Sequence, residues 1–260
     1  PLVLYVKGNP ALLRARKFAV VGSRRISPDA YRKGVELSER LSEEFAILSG
    51  FADGGDSAAI DGASKSGKII CVLASGFSAL PRNKFPLFDK IAKNGLLISP
   101  YPMQTPTFPF FYGYRNKILA ALSEGGLVLS AGGKSGALIT ADYIKKSKKP
   151  LFALPYSLGV ESGAGCNQLI KDGAFLAQSA EDIFFRLGIT AKRETARKAL
   201  PSLNGEEERI VGFLRERTEA HISEISQNTG IPAFKLTATL SLLEIKGVVV
   251  KLGGNRYAPV

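Results

Sequence analysis

The sequence is poor in histidine, and this scarcity limits the chemistry it can perform. The one histidine among 260 residues is His221, so residues 1–220 contain none. The sequence also has no Ser-His-Asp set, no G-x-S-x-G elbow and no metal-ligand cluster. Hydrolysis would have to rest on carboxylates such as Asp53, Asp56 or Asp61. We therefore expect a protein that is not an enzyme, with no catalytic residue, metal or cofactor.

Cysteines and long apolar segments are scarce as well. Cys71 and Cys166 are the two cysteines, far apart, which favours free thiols in a reducing compartment over a disulfide framework. No apolar run reaches the ~18 residues of a membrane helix, and no basic leader precedes the first predicted strand. We expect a cytoplasmic protein with no membrane association. Because residue 1 is proline rather than methionine, we also expect the chain to lack an N-terminal piece.

Two common nucleotide-binding signatures are absent too. A P-loop has the pattern G-x-x-x-x-G-K. Here Gly133 and Lys134 supply its last two residues, but Val128 stands where the first glycine should be. The dinucleotide fingerprint G-x-G-x-x-G fails because the nearest match, which starts at Gly163, ends in Gln168. A standard nucleotide cradle is therefore excluded.

A glycine-rich turn at 130–136 is nevertheless typical of a phosphate site. It follows the apolar run 127–129 and leads into a helical pattern at 137–146. Glycines allow close backbone approach, the first N–H groups of a helix lack partners, and Lys134 adds positive charge. The alternative interpretation is a sharp strand-to-helix turn that needs glycine for its geometry alone.

Strand and helix patterns alternate through the first 190 residues. Strands are predicted at 18–21, 46–48, 69–73, 96–98, 127–129 and 151–154, and helices at 30–45, 57–66, 88–93, 115–122 and 137–146. Residues 2–6 predict a weaker strand at the sheet margin, and 108–114 an aromatic-rich loop. This order predicts an α/β protein with a Rossmann-like, doubly wound, mostly parallel sheet.

A second, smaller domain is predicted after a charged linker at 191–203. Three helix patterns follow, at 206–217, 222–228 and 232–246, and then a hairpin on the two-glycine turn Gly253-Gly254. Three helices and a hairpin predict a winged helix. The expected division is a Rossmann-like domain over 1–190, the linker, and a winged-helix domain over 204–260.

The excess of positive charge belongs to the first of these domains. The chain has 35 lysines and arginines against 23 aspartates and glutamates, a formal net charge of +12, yet residues 204–260 contain seven of each sign. A basic balance of this size indicates a polyanionic partner. We expect the large domain to bind it.

Four loops should meet where the parallel strands end, at 22–25, 49–56, 134–136 and 163–167. Arg24 and Arg25 are placed there to clamp phosphate. For Asp56, an N-cap of the following helix is the simpler interpretation. The rings that precede Arg115 can stack bases, but we expect Phe108 and Phe110 to lie in the core.

Five short motifs follow one another along the chain. They are Gly22-Ser23-Arg24, Ser49-Gly50-x-Ala52-x-Gly54-x-Asp56, Arg115-Asn116-x-Ile118, Lys134-Ser135-Gly136-Ala-Leu-Ile-Thr140 and Asn167-Gln-Leu-Ile170-x-x-Gly173-Ala174. In this order, and with a C-terminal winged helix, they resemble the DNA-processing protein A family, DprA or Smf, over nearly the whole chain. The chain departs from the family pattern at Asp53, Gly55, Ile60 and Pro100.

The resemblance implies a non-catalytic protein that binds single-stranded DNA with little sequence preference. It also implies a homodimer that protects incoming DNA and loads the recombinase RecA onto it during natural transformation and recombination. The nucleic-acid-binding residues expected from the motifs and loops are Gly22, Ser23, Arg24, Arg25, Ser49, Gly50, Gly54, Arg115, Asn116, Lys134, Ser135, Gly136 and Asn167.

Two other hypotheses stay open. One is a nucleotide-binding or nucleotide-cleaving enzyme similar to the phosphoribohydrolases, with Asp56 or Glu161 as its acid, although their P-G-G-x-G-T motif is missing. The other is a transcription factor that acts through the winged helix, and the zero net charge of that module argues against it.

Overall fold

The computed structural model describes residues 1, 3–190, 203–217 and 219–259. The chain divides into two compact units, Pro1–Ala191 and Lys192–Val260. Of the linker predicted at 191–203, all but Leu203 lies outside the described residues.

Eight strands of the large unit form one sheet. They are β1 (Tyr5–Gly8), β2 (Lys17–Val21), β3 (Ala46–Ser49), β4 (Ile69–Val72), β5 (Leu96–Ser99), β6 (Gly126–Val128), β7 (Leu151–Ala153) and β8 (Phe175–Leu176). Their order is β1-β5-β4-β3-β2-β6-β7-β8, with β1 antiparallel to β5 and every other pair parallel. The predicted mostly parallel sheet is confirmed, and β1 lies at its margin.

Seven α-helices cover the two faces of this sheet. They are α1 (Pro28–Leu41), α2 (Gly55–Ser64), α3 (Phe85–Asn94), α4 (Pro109–Leu122), α5 (Gly136–Lys146), α6 (Ala164–Lys171) and α7 (Ala180–Arg186). Because successive strand residues point to opposite faces, Phe18 belongs to the core cluster that includes residues of α1, α2, α3 and α7. Its neighbour Ala19 belongs to the cluster that includes residues of α4, α5 and α6. Strands buried on both faces read as continuous apolar runs, which is the pattern that predicted them.

The prediction of an aromatic loop at 108–114 is wrong, because α4 already begins at Pro109. Proline suits a first helical position, where its missing N–H would have no partner and its fixed φ is helical. Phe108 and Phe110 are not core residues either, since they are 43% and 72% exposed. Five rings within seven residues hide the helical period, so the sequence pattern does not show which rings are covered.

The sheet grows in two directions from β2. Strands β3, β4 and β5 are added on one side of it, and β6, β7 and β8 on the other. The loops after β2 and β6 therefore lead away to opposite sides and leave a crevice at the carboxyl ends of the strands. Strand β8 and helices α6 and α7 were not among the predicted elements.

The small unit is a winged helix, as predicted. Its elements are α8 (Gly205–Arg215), β9 (Ala220–His221), α9 (Ile222–Thr229), α10 (Ala233–Ile245), β10 (Val249–Leu252) and β11 (Arg256–Pro259), with strand order β10-β11-β9. The three helices and the sheet enclose a core of their own, which includes Ile210, Leu240 and Tyr257. The prediction of a two-glycine turn was wrong. Leu252 pairs with Arg256, so the hairpin loop has three residues. The last of these, Asn255, has φ +55°.

Within the described residues, no helix is long and apolar enough to cross a membrane. Over the same residues, no group of three or more His, Cys, Asp or Glu side chains is arranged to hold a metal ion. Both cysteines are buried free thiols, and burial raises the pKa of Cys166 to about 12. A thiol in that environment stays protonated and unreactive.

One buried carboxylate, Glu207, ties α8 to the end of α10. It accepts hydrogen bonds from the Asn204 N–H at 2.9 Å and from the Lys246 Nζ at 2.7 Å. These partners lower the pKa of Glu207, with the Lys246 hydrogen bond as the largest cause. Since the folded pKa lies below the unfolded value, the carboxylate stabilises the fold at neutral pH, and this stabilisation is lost as the pH falls through the lowered pKa.

We therefore expect Glu207→Gln to lower the unfolding temperature at neutral pH, and its difference from the wild type to shrink in acid. Scanning calorimetry across this pH range measures both. Glu208→Gln is the matched control, because Glu208 is exposed on the same helix. Equal losses in the two variants, or a loss that persists in acid, would contradict the assignment.

Candidate functional site

An open cavity of about 1170 Å³ lies at the carboxyl end of β2, the strand from which the order runs toward β3 on one side and toward β6 on the other. The loop after β2, the start of α2, helix α4, the loop between β6 and α5, and residues 161–162 contribute to its lining. The polar and glycine lining residues are Gly22, Ser23, Arg24, Arg25, Asp56, Tyr112, Arg115, Asn116, Gly132, Gly133, Lys134, Ser135, Gly136, Thr140, Glu161 and Ser162. Arg24, Arg115 and Lys134, which are far apart in sequence, thus line one cavity.

The loop after β2 is fixed by backbone contacts on both sides. Ser23 donates its N–H to the Ser130 carbonyl at 2.8 Å and accepts the Gly55 N–H at 3.0 Å. Gly22 and Gly55 approach so closely that a Cβ on either would collide with the backbone of the other. Gly54 has φ +76°, which strains any other residue, and a Cβ there would meet the Ser23 and Arg24 carbonyls. These contacts set the position from which Arg24 extends.

The glycine-rich turn before α5 is held by two hydrogen bonds where it enters the helix. The Ser135 hydroxyl caps the helix by accepting the Ala137 N–H at 3.3 Å, and the Asn116 Nδ2 donates to the Gly136 carbonyl at 3.3 Å. Apart from chain neighbours, no atom of the described residues lies within 4 Å of where a Cβ on Gly133 or Gly136 would be, so both glycines leave open space beside the cavity they line. Lys134 is exposed between them.

Arg115 differs from the other cations because it is buried. Its Nη1 lies 3.6 Å from the Asp56 Oδ2, and the two side chains are 7% and 6% exposed. The guanidinium rests against Gly50, where a Cβ would overlap Nη1. Within the described part of the chain, its buried Nε has no hydrogen-bond partner. The wall of the cavity therefore carries a fixed positive charge with an unused donor.

Asp56 is not the N-cap that the sequence suggested. Gly54 holds the N-cap position, and Asp56 is the second residue of α2. Its carboxylate instead accepts the Ala52 N–H at 3.2 Å and faces Arg115. Burial raises the pKa of Asp56, while Arg115 and the N–H groups of Ala52 and Gly22 act in the opposite direction. The Asp56 carboxyl is thus engaged by Arg115 and the Ala52 N–H, and it stabilises the wall of the cavity.

The electrostatic balance of the cavity favours anions. Arg24, Arg25 and Lys134 are exposed at its lining, and Arg115 lies in its wall. Two carboxylates oppose them: Asp56, which faces Arg115, and the exposed Glu161. Arginine guanidinium groups and open backbone N–H groups are the donors that phosphate oxygens prefer.

Four predicted site residues lie outside this lining. Ser49 is fully buried and donates its hydroxyl to the Val20 carbonyl at 3.0 Å. Gly50 and Gly54 act indirectly, by making room for Arg115 and for the loop after β2. Asn167 exchanges two hydrogen bonds with the Tyr156 backbone, at 3.0 and 2.9 Å, so it fixes a neighbouring loop. Residues 163–167 do not line the cavity, as 161–162 do, but they lie against the loop after β6, where the Gly165 N–H donates to the Ala131 carbonyl at 2.7 Å.

Several lining residues were not predicted from the sequence. Tyr112 stands under two cations, with the Arg24 and Arg115 Cζ atoms 5.3 and 5.8 Å from its ring centroid. Tyr112 lies four residues after Phe108 and three before Arg115. A helix predicted over these residues would therefore have placed the three side chains on one face. Thr140 ends one of the five motifs but was not among the predicted binding residues. Ser162 carried no signal, because it is an isolated hydroxyl whose direction depends on packing.

Comparison with known families places both units. Residues 1–188 match the family model of DNA recombination-mediator protein A, and residues 194–255 match the DprA winged helix domain. The first match alone covers well over half of the chain.

Two curated relatives show the extent of the similarity. DNA processing protein DprA of Bacillus subtilis (strain 168) is 38% identical over 193 residues, which cover 72% of this chain and 64% of that protein. The putative DNA processing protein DprA of Mycobacterium tuberculosis (strain CDC 1551 / Oshkosh) is 31% identical over 257 residues, covering 95% and 66%. The chain thus spans just under two thirds of the length of these relatives.

Solved structures agree with the fold. DNA processing protein A of Streptococcus pneumoniae aligns with a TM-score of 0.67 at 35% identity, covering 70% of this chain and 65% of that one. DNA processing protein A of Helicobacter pylori aligns with a TM-score of 0.65 at 31% identity, covering 71% and 86%. The latter structure is described as giving insight into a unique single-stranded DNA binding mode of that protein.

The buried pair predicts a stability effect of Asp56→Asn. Loss of the carboxylate leaves the Arg115 charge buried without its partner, so we expect the free energy of unfolding to fall by about 3 kcal/mol. Urea denaturation followed by circular dichroism measures this. Asp89→Asn, at an exposed position on α3, should change it by less than about 0.5 kcal/mol. Equal stability of the two variants would mean that the pair does not support the cavity wall.

Proposed function

The chain belongs to the DNA recombination-mediator protein A family, and on that premise we propose that it binds single-stranded DNA in the cavity without cleaving it. The observation that carries the proposal is the meeting of Arg24, Arg115 and Lys134 on one cavity at the carboxyl ends of the strands. Loops from distant parts of the chain supply these cations, which is the arrangement expected where a polyanionic strand crosses a sheet edge.

Each cation has a distinct proposed role. Arg24 and Arg25 hold backbone phosphates from the loop after β2, together with Gly22 and Ser23. Lys134 holds a further phosphate with the Gly136 N–H, while the Ser135 N–H, which donates to the Gly132 carbonyl at 3.1 Å, fixes the turn. Arg115 contributes its positive charge from the wall, and Asn116 orients the turn through the Gly136 carbonyl.

Binding without catalysis is favoured by the state of the carboxylates. A general acid must reach its substrate, whereas Asp56 is 4% exposed and faces Arg115. Glu161 is the other carboxylate of the lining, and it is exposed to solvent. We therefore prefer a DNA-binding function over a nucleotide-cleaving enzyme.

Family membership supports the finer proposals. We infer a homodimer that protects incoming single strands and loads RecA recombinase onto them during natural transformation and recombination. Because the chain spans 64% of the Bacillus subtilis relative, these activities concern the whole protein and need to be tested on it.

Fluorescence anisotropy with a labelled single-stranded oligonucleotide tests the cavity directly. We expect Arg24→Ala and Lys134→Ala each to weaken binding about tenfold at low salt and to reduce the slope of log K against log salt by about 1. Lys90→Ala is the control, because Lys90 is exposed on α3 and is not part of the cavity lining. Binding that is micromolar or weaker, and unchanged in both cavity variants, would overturn the proposal.

The charge distribution predicts that the winged helix contributes little to this binding. Residues 204–260 carry seven charges of each sign, so no counterion release is expected from the module as a whole. A chain without these residues should keep most of its affinity for the same oligonucleotide. A large loss would show that the winged helix takes part in binding despite its neutral balance.

A further inference from the structure

Five aromatic rings form a partly exposed cluster beside the cavity, which we name the aromatic ledge: Tyr101, Phe108, Phe110, Phe111 and Tyr114. Tyr101 and Phe111 stack with ring centroids 3.9 Å apart and are half-buried, so they anchor it. Phe108 and Phe110 lie outward with nearly parallel rings 5.7 Å apart. Phe110 is 72% exposed, and Phe108 and Tyr114 are 43% and 41% exposed.

Exposed rings at this density need a ligand to cover them. A contiguous apolar patch keeps several large side chains in water, and such patches mark binding surfaces in proteins. The ledge is held in shape by its own contacts, because Phe111 also packs edge-on against Phe108 at 5.3 Å and Phe110 at 4.7 Å. The rings are therefore pre-arranged rather than free to fold onto the surface.

The ledge is continuous with the cavity through helix α4. Phe108 lies one helical turn before Tyr112, and Phe111 lies one turn before Arg115, so one outer ring and one anchoring ring each have a cavity residue as their neighbour. Tyr112 and Arg24 also line a second cavity of about 170 Å³ that adjoins the first. A strand whose phosphates rest near Arg24 would leave the cavity along this helix.

The charge of the segment fits a nucleic acid. Residues 95–123 contain no aspartate or glutamate but include Arg115 and Lys117. Aromatic faces without nearby carboxylates suit bases, which stack on rings while their phosphates avoid negative charge.

We infer that the aromatic ledge stacks unpaired bases of the strand whose phosphates the cavity holds. The inference rests on the proposed single-stranded DNA binding and adds a second, non-electrostatic component to it. Every base has a π-face, so this contact tolerates any sequence. The outer rings Phe108 and Phe110 are the residues that touch the bases.

The test compares charge variants with ring variants in the full chain. We expect Phe110→Ala to weaken binding of a single-stranded oligonucleotide about tenfold, and the double change Phe108→Ala with Phe110→Ala further, with no change in salt slope. Phe185→Ala, which removes a ring that is 84% exposed on α7, is the matched control and should bind like the wild type. An oligonucleotide with abasic sites should bind the wild type and Phe110→Ala equally.

A fluorescent substitution gives a direct readout. The chain has no tryptophan, so Phe110→Trp introduces a single one. Its emission should be quenched by the normal oligonucleotide, with affinity retained, and much less by the abasic one. Absence of quenching, together with wild-type affinity in Phe110→Ala, would overturn the inference while leaving the cavity intact.

Two outcomes separate the inference from its premise and from its main competitor. If Arg24→Ala and Lys134→Ala bind as tightly as the wild type, the cavity proposal itself fails. If Phe110→Ala lowers the mass in solution, and its loss of affinity follows that change, the ledge is an interface between copies of the chain and the base-stacking inference is wrong. An unchanged mass with weakened binding supports base stacking.

Discussion

The cavity depends on a backbone contact that leaves no room for side chains, between the loop after β2 and the first turn of α2. Gly22 and Gly55 touch there, and Gly54 takes a left-handed conformation beside them. Since any Cβ would push the two segments apart, glycine is the residue that permits this approach. The contact accounts for Gly55, one of the positions that depart from the family pattern.

Burial divides the cations of the site into two kinds. Arg115 is held in the wall by Asp56 and Gly50, so its guanidinium is positioned before any ligand arrives. Arg24, Arg25 and Lys134 are exposed and keep the side-chain freedom to follow a flexible backbone. Asp53, a further departure from the family pattern, pairs with Lys84, which offsets its negative charge near the cavity.

The two units distribute their charge and their apolar surface differently. The large unit has 24 lysines and arginines against 15 aspartates and glutamates, a net charge of +9, together with an exposed cluster of rings next to its cationic cavity. The winged helix balances its charges and is stabilised by its own core and by local pairs such as Glu207 with Lys246. Affinity for a polyanion and apolar contact with its bases are thus features of one unit.

Local sequence patterns were enough to predict the alternation of strand and helix, the winged helix, the charge asymmetry and the loops that carry Arg24 and Lys134. These follow from local periodicity and composition, which are readable without long-range contacts. Tertiary structure alone decided that Asp56 pairs with Arg115, that Asn167 faces Tyr156, and that Phe108 and Phe110 lie outside the core. Each of these outcomes depends on which distant segment packs against the residue, and local sequence does not contain that information.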